Sequence, residues 1–169
     1  MTHCFSRRSF LKGSAAAAAA LTSPLLPADA AFSETENGLF SPVSVLCQTQ
    51  YGPVKGREGE NGLLCWYGIP YGAALTGESR WTAPQEPARW LTVRDCTSPA
   101  PAAYQYTTFP LGTEDCLKLD VYTTPNAHKL PVLVFIHGGN NQTGNTKEIL
   151  GSELVVRDNC VFVTLDYRL

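Results

Sequence analysis

Between residues 117 and 136 the hydrophobic rhythm of the chain changes. Leu117-Lys118-Leu119-Asp120-Val121-Tyr122 alternates, with Leu117, Leu119 and Val121 on one face, the two-residue period of a half-buried strand. After a Thr124-Pro125-Asn126 turn, Val132-Leu133-Val134-Phe135-Ile136 runs without a polar break. Such a run, rich in β-branched and aromatic types, predicts a strand buried on both faces of a parallel sheet. Periodicity alone also fits a helix segment, but the run is short and His137-Gly138-Gly139 ends it abruptly. Residues 161–165 read as another buried strand. The stretch 147–157 between them reads as a helix weakened by Gly151. The fold class is therefore α/β, and in open α/β sheets ligands bind beyond the carboxyl ends of the strands.

Upstream the periods are shorter. Residues 43–50, 54–56 and 63–67 read as strands separated by a Gly52-Pro53 turn and a turn over 59–62. They predict a small antiparallel sheet carrying Cys47 and Cys65. Residues 68–90 hold too many prolines and glycines for a regular element, so Trp66, Trp81 and Trp90 are expected to anchor that loop through buried aromatic area. Residues 91–93 read as a short strand, followed by proline-rich loop to Gly112. Gly77-Glu78-Ser79 begins like the nucleophile elbow G-x-S-x-G, but Arg80-Trp81 follows and no strand precedes it. Ser79 is therefore read as a loop serine, and His128, in a turn, as a solvated one.

Composition narrows the function classes. The chain has 169 residues, enough for one domain or part of a larger one, and 44% hydrophobic with 17% charged residues is a globular balance. A net charge of −2 leaves no basic patch for nucleic acid. There is no C-x-x-C or H-E-x-x-H spacing, so neither metal nor cofactor is expected. The N-terminus reads as an address. Ser6-Arg7-Arg8-Ser9-Phe10-Leu11-Lys12 is a twin-arginine signature, a mild apolar run with six alanines follows, and Ala28-Asp29-Ala30 offers an A-x-A cleavage site. An amphipathic helix is the competing reading, but the run is apolar all round and Pro24 and Pro27 stop it. Residues 1–30 are thus expected to be a signal peptide, 31–42 a lead-in, and 43–169 the folded part. Losing Arg7, Arg8, Lys12 and Asp29 with the signal moves the net charge from −2 to −4. The expected destination is the periplasm or the outside of a bacterial cell, reached through the twin-arginine export machinery, with no stable membrane anchor after signal removal.

Taken together, several blocks resemble the type-B carboxylesterases, the group of cholinesterases and bacterial para-nitrobenzyl esterases. The blocks are Thr49-Gln50-Tyr51-Gly52-Pro53-Val54-Lys55-Gly56, Gly68-Ile69-Pro70-Tyr71-Gly72, and the G-x-x-R-W-x-x-P segment from Gly77 to Pro84. They continue with Glu114-Asp115-Cys116-Leu117 and the strand after it, the segment from Pro131 through His137-Gly138-Gly139, and Tyr167-Arg168-Leu169. The resemblance implies the N-terminal part of an α/β-hydrolase fold: a small antiparallel sheet plus the first strands of a central sheet. It also implies a serine hydrolase acting on small carboxylic esters, in which backbone amides after the HGGG-type motif hold the oxyanion. Those amides fall on Gly139 and Asn140, with His137, Gly138 and Gly144 as the supporting loop. A bare Gly-Gly pair would otherwise read as an ordinary tight turn.

The chain also departs from the family pattern. The third glycine of the motif is Asn140, the non-glycine type that best tolerates positive φ. No G-x-S-x-G occurs, and the family places serine, acid and histidine after the oxyanion loop. They are expected beyond Leu169, so the chain reads as truncated, inert alone and unable to bury its sheet. A non-catalytic binding protein of the same fold is the alternative, and a self-contained β-rich binding module a third. Five cysteines remain after the signal, an odd number. In many relatives the cysteine at Cys116 pairs with one shortly before a Gln, where this chain has Ala103. Cys96 is the nearest upstream substitute, which makes Cys96–Cys116 the candidate disulfide. Cys160 reads as a plain core residue.

Overall fold

A computed structural model describes residues 44–149 and 151–169. The expected signal peptide and lead-in lie outside the described residues. The described residues contain nine strands: β1 (Ser44–Gln48), β2 (Pro53–Glu58), β3 (Leu64–Pro70), β4 (Arg94–Asp95), β5 (Gln105–Tyr106), β6 (Pro110–Leu111), β7 (Lys118–Thr123), β8 (Val132–Ile136) and β9 (Val161–Leu165). The helix α1 (Ser152–Asp158) precedes β9. One continuous sheet runs in the order β1-β2-β3-β7-β9-β8, with β4 paired to β2, while β5 and β6 form a separate hairpin. The small antiparallel sheet expected at the start is therefore the antiparallel end of this sheet. Among the strands described in this sheet, β1 to β3, β7 and β9 pair antiparallel, while β8–β9 and β2–β4 pair in parallel. No helix among the described residues is long and apolar enough to cross a membrane.

Each face of the sheet has its own core. On one, Leu63, Cys65, Tyr67, Tyr122, Val155 and Phe162 pack together, with Val155 supplied by α1. On the other, Cys47, Val54, Leu64, Trp66 and Cys96 form a second cluster, against which Val121 and Trp90 lie. The β7 alternation sends Val121 and Tyr122 to opposite faces as expected. The face opposite Leu119 and Val121 is the deeper one, however, because it buries Tyr122 and also Asp120. The Asp120 carboxylate is satisfied there by the Gly68 amide at 2.8 Å.

Several expectations change. β8 was expected to be buried on both faces; it pairs in parallel with β9, but Leu133 is 45% and Ile136 64% exposed. It stands last in the described sheet and α1 covers β7 and β9 instead. β9 does have buried Val161, Phe162 and Thr164. The predicted helix over 147–157 is split into a 3₁₀ turn, Thr146–Glu148, and α1. Gly151 lies between them because a Cβ there would sit 2.1 Å from the Phe162 ring, so packing requires the glycine that propensity penalises. Trp66 is buried and Trp90 donates from Nε1 to the Pro53 carbonyl at 2.9 Å, but Trp81 is 85% exposed and meets the Arg80 guanidinium, 4.6 Å above its ring, instead of an apolar core. The strand expected at 91–93 is displaced to Arg94–Asp95, and Leu91 and Val93 face solvent. Ser79 sits in a 3₁₀ turn and donates to the Thr76 carbonyl, as a loop serine does.

The expected Cys96–Cys116 disulfide is not formed. Both thiols are free and buried, Cys96 in the second cluster and Cys116 in a third with Leu75, Ala103 and Leu117. A disulfide needs Cβ atoms about 4 Å apart, and here the two side chains fill separate apolar clusters.

Phe162 packs on both Tyr122 and Phe135 and blocks Gly151. Truncating Phe162 to alanine is expected to cost about 3–5 kcal/mol, whereas Leu133→Ala on half-exposed β8 costs well under that. Urea midpoints at unchanged slope check the difference; equal losses would mean that β8 is covered in solution.

Candidate active site

β8 delivers the chain to a loop whose first residue is locked on every side. His137 is 2% exposed. Its ring stacks on Tyr167 with centroids 4.4 Å apart, and the Tyr167 hydroxyl donates to the His137 carbonyl at 2.8 Å. His137 Nδ1 lies 2.9 Å from the Gly138 carbonyl oxygen. A carbonyl only accepts, so the hydrogen of this contact is on Nδ1. Nε2 then faces Asp166 Oδ1 across 3.7 Å, and it has no hydrogen-bond partner among the described residues.

The next peptide units are fixed by their carbonyls. A peptide is planar and trans, so its C=O and N–H point in opposite directions. The Gly138 carbonyl is taken by His137, which sets the direction of the Gly139 N–H. The Gly139 carbonyl accepts from the Gln142 amide at 3.0 Å and the Thr143 amide at 3.2 Å, which sets that of the Asn140 N–H. Neither the Gly139 nor the Asn140 amide donates to a protein acceptor among the described residues. Gly139 has φ +103°, and a Cβ there would lie 1.9 Å from the Thr143 carbonyl oxygen, so only glycine fits. Asn140 and Asn141 have φ of 57° and 56° and continue the left-handed bend. Asn141 also lines an open depression of about 500 Å³ with Arg80, Trp81, Tyr167, Arg168 and Leu169.

The far end of the loop is held as well. Gly144 donates its N–H to Gln105 Oε1 at 3.0 Å and accepts at its carbonyl from Gln105 Nε2 at 2.9 Å. Asn145 caps the following turn in a reciprocal capping box with Glu148. The Thr146 amide donates to Asp166 Oδ1 at 3.1 Å, and the Tyr71 hydroxyl donates to the Asp166 carbonyl at 2.7 Å. Burial pushes the Asp166 carboxyl up to about 6; the nearby Asp120 carboxylate adds to this, while the Thr146 amide and His137 oppose it. Burial likewise raises Asp120. Arg80 bonds Glu114 at 3.0 Å and the Leu169 carbonyl at 3.1 Å, joining three of the sequence blocks behind the loop.

The sequence-predicted residues His137, Gly138, Gly139, Asn140 and Gly144 thus share one loop, while His128 is exposed and apart from it. Tyr71 stands in one of the sequence blocks and Gln105 is the Gln that follows Ala103, but nothing in the sequence gives either of them these contacts or singles out Asp166. Gln105 lies between two exposed tyrosines in proline-rich loop, and Asp166 merely follows an apolar strand.

A carboxyl whose folded pKa exceeds its unfolded value of about 3.9 favours folding most at low pH. Its contribution fades as pH rises through that value to the folded pKa of about 6. Asp166→Asn is therefore expected to flatten the fall in stability across this window, read from urea midpoints at successive pH values. An unaltered slope would place the carboxyl in water.

Comparison with known proteins agrees with this architecture. The Carboxylesterase family matches residues 43–169, and the TAT (twin-arginine translocation) pathway signal sequence matches residues 4–24, which indicates export to the periplasm or outside the cell. The para-nitrobenzyl esterase of Bacillus subtilis (strain 168) is 42% identical over 132 residues, covering 72% of this chain and 27% of that protein. Esterase B1 of Culex pipiens is 34% identical over 140 residues, covering 75% of this chain and 25% of that protein. Among solved structures, a PNB esterase superposes with TM-score 0.68 at 40% identity, covering 73% of this chain and 27% of its own. The Geobacillus stearothermophilus carboxylesterase superposes with TM-score 0.67 at 34% identity, covering 73% of this chain and 26% of its own. The chain spans about a quarter of the length of these relatives. Its described residues have the α/β-hydrolase architecture of the corresponding part of those enzymes. With the family matched over three quarters of its length, the chain belongs to the carboxylesterase family.

Proposed function

We propose that this chain supplies the oxyanion-holding side of an exported serine hydrolase of carboxylic esters. The serine, acid and general-base histidine come from sequence beyond residue 169. Residues 1–30 are the cleaved export signal, 31–42 a lead-in, and 43–169 the N-terminal segment of the hydrolase domain. The export machinery is its transient partner, and a small ester, of the kind named for the para-nitrobenzyl esterase relative, is its substrate class.

One observation carries the reading: the Gly139 and Asn140 amides have directions fixed by their neighbouring carbonyls and no protein acceptor among the described residues. When a serine attacks an ester carbonyl, the oxygen gains negative charge that two preorganised N–H donors stabilise without moving. The donors must stand ready before the charge appears, since reorganising them during the reaction would raise the barrier. His137 is a support for this loop, because its Nδ1 is spent on the Gly138 carbonyl and its ring is buried against Tyr167. Asn140 keeps the left-handed geometry that the usual glycine would give, at φ 57°.

The test uses the whole gene product, read through past the codon for Leu169, with p-nitrophenyl acetate. Gly139→Ala keeps the N–H, but its Cβ would meet the Thr143 carbonyl and turn the donors out of line, so kcat is expected to fall by about 10²- to 10³-fold, as when one oxyanion donor is lost. Asn140→Gly, which keeps both N–H and bend, is expected to retain most activity. The 169-residue chain alone is expected to give no nucleophilic burst. Full activity in Gly139→Ala, or a burst from the short chain, would remove the assignment.

A further inference from the structure

The grip on the far end of the loop comes from one side chain that neither the motif nor the family match assigns. Gln105 is 6% exposed and uses both ends of its amide on the same residue: Oε1 accepts from the Gly144 N–H and Nε2 donates to the Gly144 carbonyl. Nε2 also reaches the Ala103 carbonyl at 3.2 Å. This two-point contact copies the pairing of a neighbouring strand and fixes both the position and the rotation of the Gly144 backbone.

Gly144 is in turn the surface on which the start of the loop rests. A Cβ at Gly144 would lie 2.2 Å from His137 Nδ1 and 2.7 Å from the Gly138 carbonyl oxygen. These two atoms form the contact that sets the Gly139 peptide plane. Gln105 is itself held by backbone contacts. Its backbone pairs with Leu111 in the β5–β6 hairpin, Ala103 is fully buried, and Tyr104 and Thr113 are bonded across the hairpin base.

We infer that Gln105 is a positioning residue, which through Gly144, His137 and Gly138 aims the Gly139 and Asn140 amides. This rests on the oxyanion reading above for its catalytic consequence, but not for the mechanical coupling itself. A Gln105 that acts this way affects amides it never touches. A residue that only stabilises the hairpin would loosen its surroundings without direction.

The experiment compares Gln105→Leu and Gln105→Glu in the whole gene product carrying ¹⁵N-glycine and ¹⁵N-asparagine. Gln105→Leu keeps the bulk and loses both hydrogen bonds. It is expected to displace the amide signals of Gly139, Asn140 and Gly144 while those of Gly56 and Gly68 stay in place. With p-nitrophenyl acetate, kcat is expected to fall about 10- to 100-fold with little change in KM. Gln105→Glu offers one acceptor and one donor only when protonated. Its signals are therefore expected to return toward the wild-type positions as pH falls below about 5, where a carboxyl gains its proton. Unmoved Gly139 and Asn140 signals in Gln105→Leu would overturn the inference, as would equal displacement of Gly56 and Gly68. Displaced signals with undiminished kcat would keep the coupling and remove the catalytic consequence, and with it the oxyanion reading.

Discussion

The rigidity of the peptide plane is the constraint on which the candidate site depends. An N–H cannot be gripped from behind, because its only polar handle faces the ligand; it is aimed through the carbonyl on the other side of the same C–N bond. Here the Gly138 carbonyl is held by His137 and the Gly139 carbonyl by the Gln142 and Thr143 amides. Two side chains would be needed to hold two donors directly; the loop does it with its own backbone and one histidine.

Holding that histidine requires burying polar groups, and the structure meets the cost locally. Asp166, His137, Gln105, Thr146 and Asp120 are all nearly inaccessible in or beside the loop. Each carboxylate accepts from a backbone amide, Asp120 from Gly68 and Asp166 from Thr146, so neither lies unpartnered in apolar surroundings. The residual strain shows at Asp166, which burial drives toward its neutral form. Glycine is required at two points for a different reason: the backbone of one segment touches another at Gly139–Thr143 and at Gly144–His137, and no Cβ fits between them.

The sheet brings these parts together from distant sequence. β8 ends in His137, β9 ends beside Asp166 and Tyr167, and their parallel pairing sets the two ends side by side. β7 carries Asp120 under the same region, and the β5–β6 hairpin brings in Gln105 from a stretch whose sequence reads only as proline-rich loop. The apolar clusters on the two faces hold β3, β7 and β9 in register, so the loop rests on the best-buried part of the molecule. β8 itself is the least covered of the neighbouring strands, with Leu133 and Ile136 open to solvent.

Local sequence was sufficient for β1 to β3 and β7 to β9, the twin-arginine address and the glycine loop, because hydrophobic period, turn chemistry and short motifs are properties of adjacent residues; it misplaced β4 and missed the β5–β6 hairpin. It correctly left Ser79 in a loop and His128 in solvent. It could not rank burial: the apolar runs at β8 and β9 read alike, and only their order in the sheet leaves one exposed and covers the other. Nor could it pair Cys96 with Cys116 or place Trp81, since one depends on which cluster each thiol enters and the other on whether apolar neighbours cover the ring. Gln105 and Asp166 became visible only in three dimensions, 39 residues from Gly144 and 20 from Thr146 respectively. The chain's own residue order thus determined which backbone would turn and where, while the fold alone decided what holds that turn, because hydrogen bonds between distant segments leave no period in the sequence.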